Sequence, residues 1–246
     1  MYGSIKDNEI FLESLFARLE GLNENIRCGI AVPHPYLFQF SSRLMLPNFL
    51  LGAQNVAKHS NMGPFTGEVN AKMISEFGCS FSIVGHSERR SLFQESDDDV
   101  SKKILSLLDV KIQPIVCIGE TLEIRDSGKA SFFVENQLNQ IVELVGIENF
   151  KKCTLAYEPI WAIGTGRTAT SEQIQLMQNS IRSLCTNYVG SKAADEMKLI
   201  YGGSVNPSNV ELILKQNDVD GVLVGGASTD IMDFIKILDF ADGLLN

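Results

Sequence analysis

The residues best suited to chemistry in this 246-residue sequence are a glutamate and a histidine, each of which follows an apolar run. Residues 153–157 (Cys-Thr-Leu-Ala-Tyr) predict a buried strand, and Glu158 comes directly after it. Residues 81–85 (Phe-Ser-Ile-Val-Gly) predict another strand, which His86 follows in the same way. A carboxylate can serve as a general base, and an imidazole can polarise or protonate a carbonyl oxygen. The pair would suit removal of a proton from a carbon next to a carbonyl group.

The segment after Glu158 has the composition of a lid. Pro159 ends the strand, and residues 160–163 (Ile-Trp-Ala-Ile) form an apolar tip. Gly164 and Gly166 permit backbone angles that other residues resist. We expect Glu158 to be presented at the strand end, not buried, with the lid closing over it and excluding water. The alternative is that Glu158 is an ordinary surface acid in a plain loop, since loop glycines are common.

Two glycine-rich turns near the end of the chain predict a phosphate site. Residues 202–204 (Gly-Gly-Ser) follow one predicted strand, and residues 225–228 (Gly-Gly-Ala-Ser) follow the next. Such turns leave backbone N–H groups unblocked beside a helix start, as in the phosphate sites of late barrel strands. One glycine turn is a weak signal, whereas two in succession carry more weight.

Composition indicates one large α/β domain. Hydrophobic residues make up 44% of the chain and charged residues 21%. The net charge of −9 argues against nucleic acid or an anionic membrane as a partner, so an anionic substrate would be held by local N–H groups. The five cysteines form no C-x-x-C pair and predict reduced core thiols. We expect a soluble, cytoplasmic protein.

Strands and helices alternate along the chain. Seven apolar runs predict strands, at residues 28–32, 49–53, 81–85, 112–118, 153–157, 197–201 and 222–224. Helices are predicted at residues 7–20, from the first strand to about residue 46, and at residues 69–77, 131–145, 171–189 and 230–240. This long alternation favours a parallel sheet closed into a barrel, whose strands all end at one rim. That rim would gather the candidate residues His86, Glu158, Ser204, Gly225 and Gly226.

Two polar segments allow more than one interpretation. Ser96 followed by three aspartates resembles a metal cluster, but an N-cap with acids in the first helical turn explains it more simply. Thr170 or Ser171 is expected to cap the helix after the lid. Residues 62–68 (Met-Gly-Pro-Phe-Thr-Gly-Glu) form either a plain connector or an arm that docks on a partner subunit.

Four segments together resemble the triosephosphate isomerase family. They are residues 84–90 (Val-Gly-His-Ser-Glu-Arg-Arg), residues 156–166, residues 201–204 (Tyr-Gly-Gly-Ser) and residues 225–228. The resemblance extends over essentially the whole chain and implies a TIM barrel, (β/α)8, in one domain covering residues 1–246. It also implies the interconversion of dihydroxyacetone phosphate and D-glyceraldehyde 3-phosphate, a step of glycolysis and gluconeogenesis, with no metal or organic cofactor.

The same resemblance assigns roles to individual residues. It makes Glu158 the base and His86 the electrophile that polarises the carbonyl group. The other implied site residues are Gly164 as the lid's phosphate contact, Ser204, Gly225 and Gly226 as backbone phosphate donors, and Glu88 as a supporting acid. The loop around Phe65 and Thr66 would be the arm of a homodimer.

The sequence departs from the family at its beginning. The family starts with a strand that ends in Asn-x-Lys, and residues 1–4 (Met-Tyr-Gly-Ser) resemble those directly after that lysine. The sequence therefore predicts seven strands, with the edges of the first and last unpaired. Lys6 is a poor substitute because it lies beside the entry to the first helix. Loss of a charge at a developing oxyanion typically costs about 10²–10³ in rate, which predicts weak or absent turnover.

Two hypotheses account for this departure. In one, the native protein begins upstream of Met1. In the other, the chain is a phosphate-binding or scaffolding barrel that has lost turnover. A lyase on the same fold would need a lysine at the carboxyl end of a strand, and none of the seven predicted strands supplies one.

Overall fold

Seven short strands pair in sequence order into one curled parallel sheet in a computed structural model of the chain, which describes residues 2–42, 48–165 and 167–245. The strands are β1 Cys28–Val32, β2 Phe49–Ala53, β3 Phe81–Val84, β4 Gln113–Ile118, β5 Thr154–Tyr157, β6 Leu199–Tyr201 and β7 Gly221–Val222. Each neighbouring pair is parallel. The sequence prediction of seven strands in an α/β barrel-type fold is confirmed.

Helices lie between successive strands, before β1 and after β7. They are α1 Ile5–Leu19, α2 Leu37–Ser41, α3 Ala71–Ser75, α4 Ser87–Phe93, α5 Asp97–Asp109, α6 Leu122–Asp126, α7 Ala130–Val145, α8 Ile147–Phe150, α9 Ser171–Val189, α10 Ser191–Glu196, α11 Val210–Leu214 and α12 Ile231–Gly243. Parallel strands need long crossover connections, because each connection must return to the end of the sheet where the next strand begins. A helix lets such a connection satisfy its own backbone hydrogen bonds. None of the described helices is long and apolar enough to cross a membrane.

Polar side chains set the starts of several helices. Ser96 accepts a hydrogen bond from the Asp99 N–H group, and the Asp99 carboxylate accepts one from the Ser96 N–H group. Thr170 and Gln173 form the same reciprocal pair at α9. Both predicted N-caps are confirmed, because each side chain satisfies amide groups that the first helical turn leaves free.

The core lies between the sheet and its helices and is filled mainly by aliphatic side chains. All four residues of β5 are buried, whereas Gly29 of β1 is exposed and both residues of β7 are half-buried. In the described part of the chain, β1 and β7 each have one neighbour in the sheet. A strand with one neighbour lacks apolar cover on its open side, which explains this difference in burial.

The first and last helices pack against each other. Arg18 of α1 donates hydrogen bonds to Asp239 and Asp242 of α12, the latter at 2.8 Å. The rings of Phe11 and Phe234 pack with their centroids 6.2 Å apart. The helical layer is therefore continuous from the end of the chain back to its beginning.

Several boundaries differ from those predicted. The strand at 197–201 begins only at Leu199, and the strand at 222–224 is reduced to Gly221–Val222. The helix at 69–77 shortens to Ala71–Ser75, because Asn70 caps it and the chain turns at Gly78. Residues 43–47 of the helix predicted to about residue 46 lie outside the described residues, as does Gly166 of the lid. All five cysteines are free and buried, as expected.

Candidate active site

The candidate residues lie at one edge of the sheet because parallel strands present their carboxyl ends together. His86 lies two residues after β3, and Glu158 directly follows β5. Ser204 lies three residues after β6, and Gly225 lies three residues after β7. The pairing of β5 with β6 and of β6 with β7 places the last three of these segments side by side.

Glu158 and His86 are in direct contact. Oε1 of Glu158 lies 3.2 Å from Nε2 of His86. Oε2 accepts a hydrogen bond of 3.0 Å from the Ser87 N–H group. Among the described residues Oε1 has no hydrogen-bond partner, because the contact with His86 is close but poorly directed for a hydrogen bond. One carboxylate oxygen is thus anchored and the other is free.

Glu158 is buried, with only 1% of the residue exposed, so the expectation that its carboxylate would be presented rather than buried is wrong. The chain around it is closely packed. A Cβ atom at Gly119 would lie 1.8 Å from the Glu158 carbonyl oxygen, and one at Gly202 would lie 3.0 Å from its Cγ. Glycines at the ends of β4 and β6 therefore allow the glutamate to lie between those strands. The positions of apolar runs in the sequence do not reveal this packing.

The protonation of Glu158 follows from this burial. Removal from water raises the pKa of the carboxyl group, while His86, the Ser87 N–H group and the Cys117 thiol oppose the rise. Burial is the larger effect, because an ionised carboxylate loses its hydration inside the protein. Burial also raises the pKa of Cys117, and the neighbouring Glu158 adds to the shift.

His86 is held as the N-cap of α4. Its Nδ1 atom accepts a hydrogen bond of 3.2 Å from the Glu88 N–H group. A ring nitrogen that accepts a hydrogen bond carries no proton, so the neutral ring has its proton on Nε2, the atom that faces Glu158. The Glu88 carboxylate is 71% exposed and lies 3.9 Å from Nδ1. In this structure Glu88 holds the histidine through its backbone.

A buried ionic cluster lies behind the histidine. Glu95 accepts hydrogen bonds from the Gly85 N–H group at 3.1 Å, from Arg89 at 2.7 Å and from Lys103 at 2.5 Å. Burial acts to raise the pKa of Glu95, but the bonds from Lys103 and Arg89 outweigh it and lower the pKa. Because Gly85 precedes His86, this cluster fixes the backbone from which the imidazole projects. Glu95 was not among the candidate residues, because it follows no predicted strand.

A second buried carboxylate holds the base of the lid. Oε1 of Glu120 accepts hydrogen bonds from Trp161 Nε1 at 2.9 Å, from the Tyr157 hydroxyl at 3.1 Å and from Arg125 at 3.1 Å. The Arg125 guanidinium also stacks on the Trp161 ring, 4.5 Å from its centroid. Glu120 was not among the candidate residues. Its position directly after Gly119 was the signal that could have identified it.

Exposure increases along the lid from the buried Ala162 to Gly164. Residues Ile160–Ala162 form a short 3-10 helix, and Gly164 is exposed with φ of +66°. Only glycine adopts this left-handed conformation without strain, so the predicted role of Gly164 in lid geometry is consistent with its backbone.

The two glycine-rich turns present free donors at the same edge. Among the described residues, no acceptor lies within hydrogen-bond range of the N–H groups of Ser204, Gly225 and Gly226. Gly225 and Gly226 are exposed, and Ser204 is half-buried. A Cβ atom at Gly203 would lie 2.1 Å from the Tyr201 hydroxyl and 3.0 Å from Pro159, which places this turn against the start of the lid.

The acidic run after Ser96 is occupied by protein contacts. Asp97 accepts a hydrogen bond from Arg90 at 2.6 Å, Asp98 one from Lys102 at 2.6 Å and Asp99 one from Lys58 at 2.6 Å. Within the described ranges, no group of three or more His, Cys, Asp or Glu side chains has a metal-binding arrangement.

Comparison with known proteins identifies relatives over nearly the whole chain. A family model described as "Triosephosphate isomerase" matches residues 1–241. The protein named triosephosphate isomerase in Methylococcus capsulatus is 43% identical to this chain over 85% of the chain and 83% of the relative. The protein of the same name in Nitrosococcus oceani is 41% identical over 98% of the chain and 95% of the relative. That of Nitrosomonas eutropha is 39% identical over 96% of the chain and 93% of the relative.

Proposed function

Because this chain belongs to the triosephosphate isomerase family, we propose that it interconverts dihydroxyacetone phosphate and D-glyceraldehyde 3-phosphate. The observation that carries the proposal is the contact between Glu158 and His86, in which one buried carboxylate oxygen is free and faces a ring nitrogen. This arrangement can bring a base and a hydrogen-bond donor to adjacent carbon and oxygen atoms of one small substrate.

We assign the proton transfer to the free oxygen of Glu158. Oε1 removes a proton from the carbon next to the carbonyl group, while Oε2 remains anchored to the Ser87 N–H group. The electron pair of the broken C–H bond forms the carbon–carbon double bond of an enediolate. The hydroxyl proton of the enediolate is transferred to the former carbonyl oxygen, and the glutamic acid returns its proton to the neighbouring carbon. The oxygen that lost its proton becomes the new carbonyl and the other becomes the new hydroxyl, so the isomerisation ends with no net change in atoms. Burial supports this role because it makes the carboxylate a stronger base.

We assign the stabilisation of the enediolate to His86. The proton on Nε2 donates a hydrogen bond to the substrate oxygen as negative charge develops there. The bond from the Glu88 N–H group to Nδ1 supports this tautomer, so Glu88 acts as a supporting residue through its amide. A glutamate base with a neutral histidine is the well-known solution of this family.

The phosphate group of the substrate is assigned to the lid and the two turns. The free N–H groups of Ser204, Gly225 and Gly226 support this assignment, since backbone amides bind phosphate without a positive side chain. Gly164 would add a contact when the lid closes. Backbone donors suit a protein with a net charge of −9, whose overall field would otherwise repel the anion.

We also propose a homodimer that forms through the loop around Phe65 and Thr66. The Phe65 ring is 39% exposed and stacks on His59, with ring centroids 3.8 Å apart. Beside it lies a cavity of about 320 Å³ whose rim includes Phe93, which is 66% exposed. Apolar side chains in such positions are typical of subunit contacts. Free buried cysteines support a cytoplasmic location, and the continuous core supports one domain over residues 1–246.

A second candidate function is a phosphate-binding barrel with impaired catalysis. It is favoured by the absence of a lysine from the described side chains that contact Glu158, and by the exposed position of Lys6 on α1. Such a protein would retain the phosphate turns and lose turnover.

A coupled assay with D-glyceraldehyde 3-phosphate distinguishes the two functions. The isomerase proposal predicts turnover that falls by about 10³ in Glu158→Gln, which removes the base but keeps the shape of the side chain. Glu123→Gln, on the exposed surface of α6, is the matched control and should leave the rate unchanged. Phosphate binding without turnover in the unsubstituted chain would establish the binding barrel instead.

A further inference from the structure

We propose that Asn209 is a positioning residue, which sets the backbone of the Ser204 turn for binding the phosphate group. This inference rests on the proposed function and adds a residue that touches neither the reacting carbon atoms nor the phosphate. It concerns a side chain that follows the turn by five positions and was not a candidate on sequence grounds.

The Asn209 side chain bridges the two ends of a short turn. Its Nδ2 atom donates a hydrogen bond of 2.9 Å to the Ser204 carbonyl oxygen. Its Oδ1 atom accepts a hydrogen bond of 2.9 Å from the Asn206 N–H group. Val205, between the two bonded residues, is buried at 6% exposure. One amide group therefore holds the main chain on both sides of an anchored apolar residue.

No other hydrogen bond in the described part of the chain reaches the backbone of residues 203–205. Upstream, the last anchored group is the Gly202 N–H, which donates to the Tyr157 carbonyl oxygen at 2.8 Å. Gly202 and Gly203 have no side chains that restrict their backbone angles. Without Asn209, the turn would be restrained by packing alone between Gly202 and Asn206.

This restraint bears directly on the phosphate donor. Rotation about the backbone of Ser204 changes the relation between its carbonyl group and its free N–H group. That rotation is restricted in two ways. The Ser204 carbonyl oxygen is held by the Asn209 side chain, and the next residue, Val205, is held in the core. A donor that is oriented before the ligand arrives costs less entropy on binding, so the phosphate group binds more tightly.

The competing interpretation is that Asn209 merely stabilises the start of α11. Asn206 offers the matched control, because its Oδ1 atom accepts hydrogen bonds of 2.9 Å from the Ser208 N–H and 2.5 Å from the Ser208 hydroxyl. Asn206 has the same amide side chain as Asn209 and lies in the same loop, but its side chain does not reach residues 203–205.

The test compares Asn209→Ala, Asn209→Ser and Asn206→Ala. Asn209 occupies the N-cap position of α11 without a side-chain cap hydrogen bond. Serine is well suited to that position but too short to bridge the turn, so this variant keeps the test valid if the alanine variant fails to fold. The measurements are KM and kcat with D-glyceraldehyde 3-phosphate, the inhibition constant of inorganic phosphate, and unfolding in urea.

Both Asn209 variants should raise KM and the phosphate inhibition constant by about tenfold, with kcat changed less than about threefold, because the two part-buried hydrogen bonds that restrain the turn are lost. Asn206→Ala should change both constants less than about twofold. It should lower the free energy of unfolding by about as much as the Asn209 variants do. Equal binding by the Asn209 and Asn206 variants would overturn the inference.

Failure of the inference is distinguishable from failure of the proposed function. If the unsubstituted chain turns over substrate and the Asn209 variants bind phosphate equally well, only the role of Asn209 is refuted. If the chain binds phosphate without turnover, calorimetric titration with inorganic phosphate makes the same comparison among the variants. If it binds no phosphate, both proposals fail.

Discussion

At the scale of single residues, the two oxygens of Glu158 have different environments, and this difference determines what the side chain can do. Oε2 is tied to the Ser87 N–H group, whereas Oε1 faces His86 without a hydrogen bond from the described residues. An anchored carboxylate keeps its orientation, and its free oxygen keeps its capacity to accept a proton. The burial that makes this possible also destabilises the charged form.

The pKa of Glu158 is therefore predicted to lie above 4.5. A raised pKa means that the fold favours the protonated form. The resulting stability is fully present below the ordinary pKa of a glutamate and is lost as pH rises through the raised value. Activity has the opposite dependence, since the base must be ionised, and it should fall as pH drops through the same value. A ¹³C NMR titration, with Glu158→Gln to assign the carboxyl signal, measures the pKa directly. A value below 4.5 would contradict this account.

At the scale of elements, buried carboxylates connect the loops at the sheet edge to the framework. Glu120 joins the end of β4 to the lid, and Glu95 joins the backbone after β3 to α5. Each replaces the lost hydration of its charge with several donors, which makes the connection geometrically specific. The loops that carry the candidate chemistry are thus attached to rigid helices and strands.

The hydrogen bond from Trp161 to Glu120 is predicted to hold the lid in the position that turnover requires. Trp161→Phe and Tyr157→Phe each remove one donor from the same carboxylate oxygen, so each should lower the free energy of unfolding by about 1–2 kcal/mol. Only Trp161 lies in the lid, and only its substitution should lower kcat, by about tenfold. Urea unfolding and the coupled assay measure the two effects. An equal loss of kcat in both variants would show that the lid contact has no special role.

The ionic cluster around Glu95 is predicted to be a major source of stability. Glu95→Gln leaves Lys103 buried without its charged partner and should lower the free energy of unfolding by about 3–5 kcal/mol. Asp98→Asn breaks an exposed pair with Lys102 and should cost less than about 1 kcal/mol. Because the pKa of Glu95 is lowered, its contribution is present above the ordinary glutamate pKa and fades as pH falls. Urea unfolding at several pH values tests this, and similar losses in both variants would refute it.

The sequence predicted elements better than it predicted contacts between them. Apolar runs located the strands, and side chains such as Ser96 and Thr170 located helix starts, because these signals are local. The terminal strand was overestimated since its length depends on a neighbour in the sheet. Glu95 and Glu120 were missed because their partners become adjacent only after folding, as Trp161 lies 41 residues from Glu120. The burial of Glu158 was missed for the same reason.

At the scale of the whole molecule, the seven-stranded sheet presents its candidate site at one edge and the Phe65 loop beside it. The helical layer is continuous through α1 and α12, while β1 and β7 are less well covered than the central strands. The proposed dimer would bury apolar side chains near the Phe65 loop, which a monomer leaves in contact with water.

Disruption of that loop is predicted to change the mass in solution. The unsubstituted chain should sediment at twice the monomer mass of 27.1 kDa, and Phe65→Asp should sediment near 27.1 kDa because it places a charge in the apolar contact. Phe132→Asp is the control, as Phe132 is 62% exposed on α7 and lies outside the loop. Analytical ultracentrifugation gives the masses. A monomeric unsubstituted chain, or a dimeric Phe65→Asp variant, would exclude this interface.

The central claim is that Glu158 moves a proton while His86 polarises the carbonyl group of one triose phosphate. Isomerisation of D-glyceraldehyde 3-phosphate in deuterium oxide tests it most directly, because the protonated base exchanges with solvent before it returns the proton. We predict that ¹H NMR will show deuterium in the dihydroxyacetone phosphate, on the carbon that gains the proton, and that Glu158→Gln will form this product at a rate lower by about 10³. Product formed without deuterium, or at an undiminished rate in Glu158→Gln, would contradict the account.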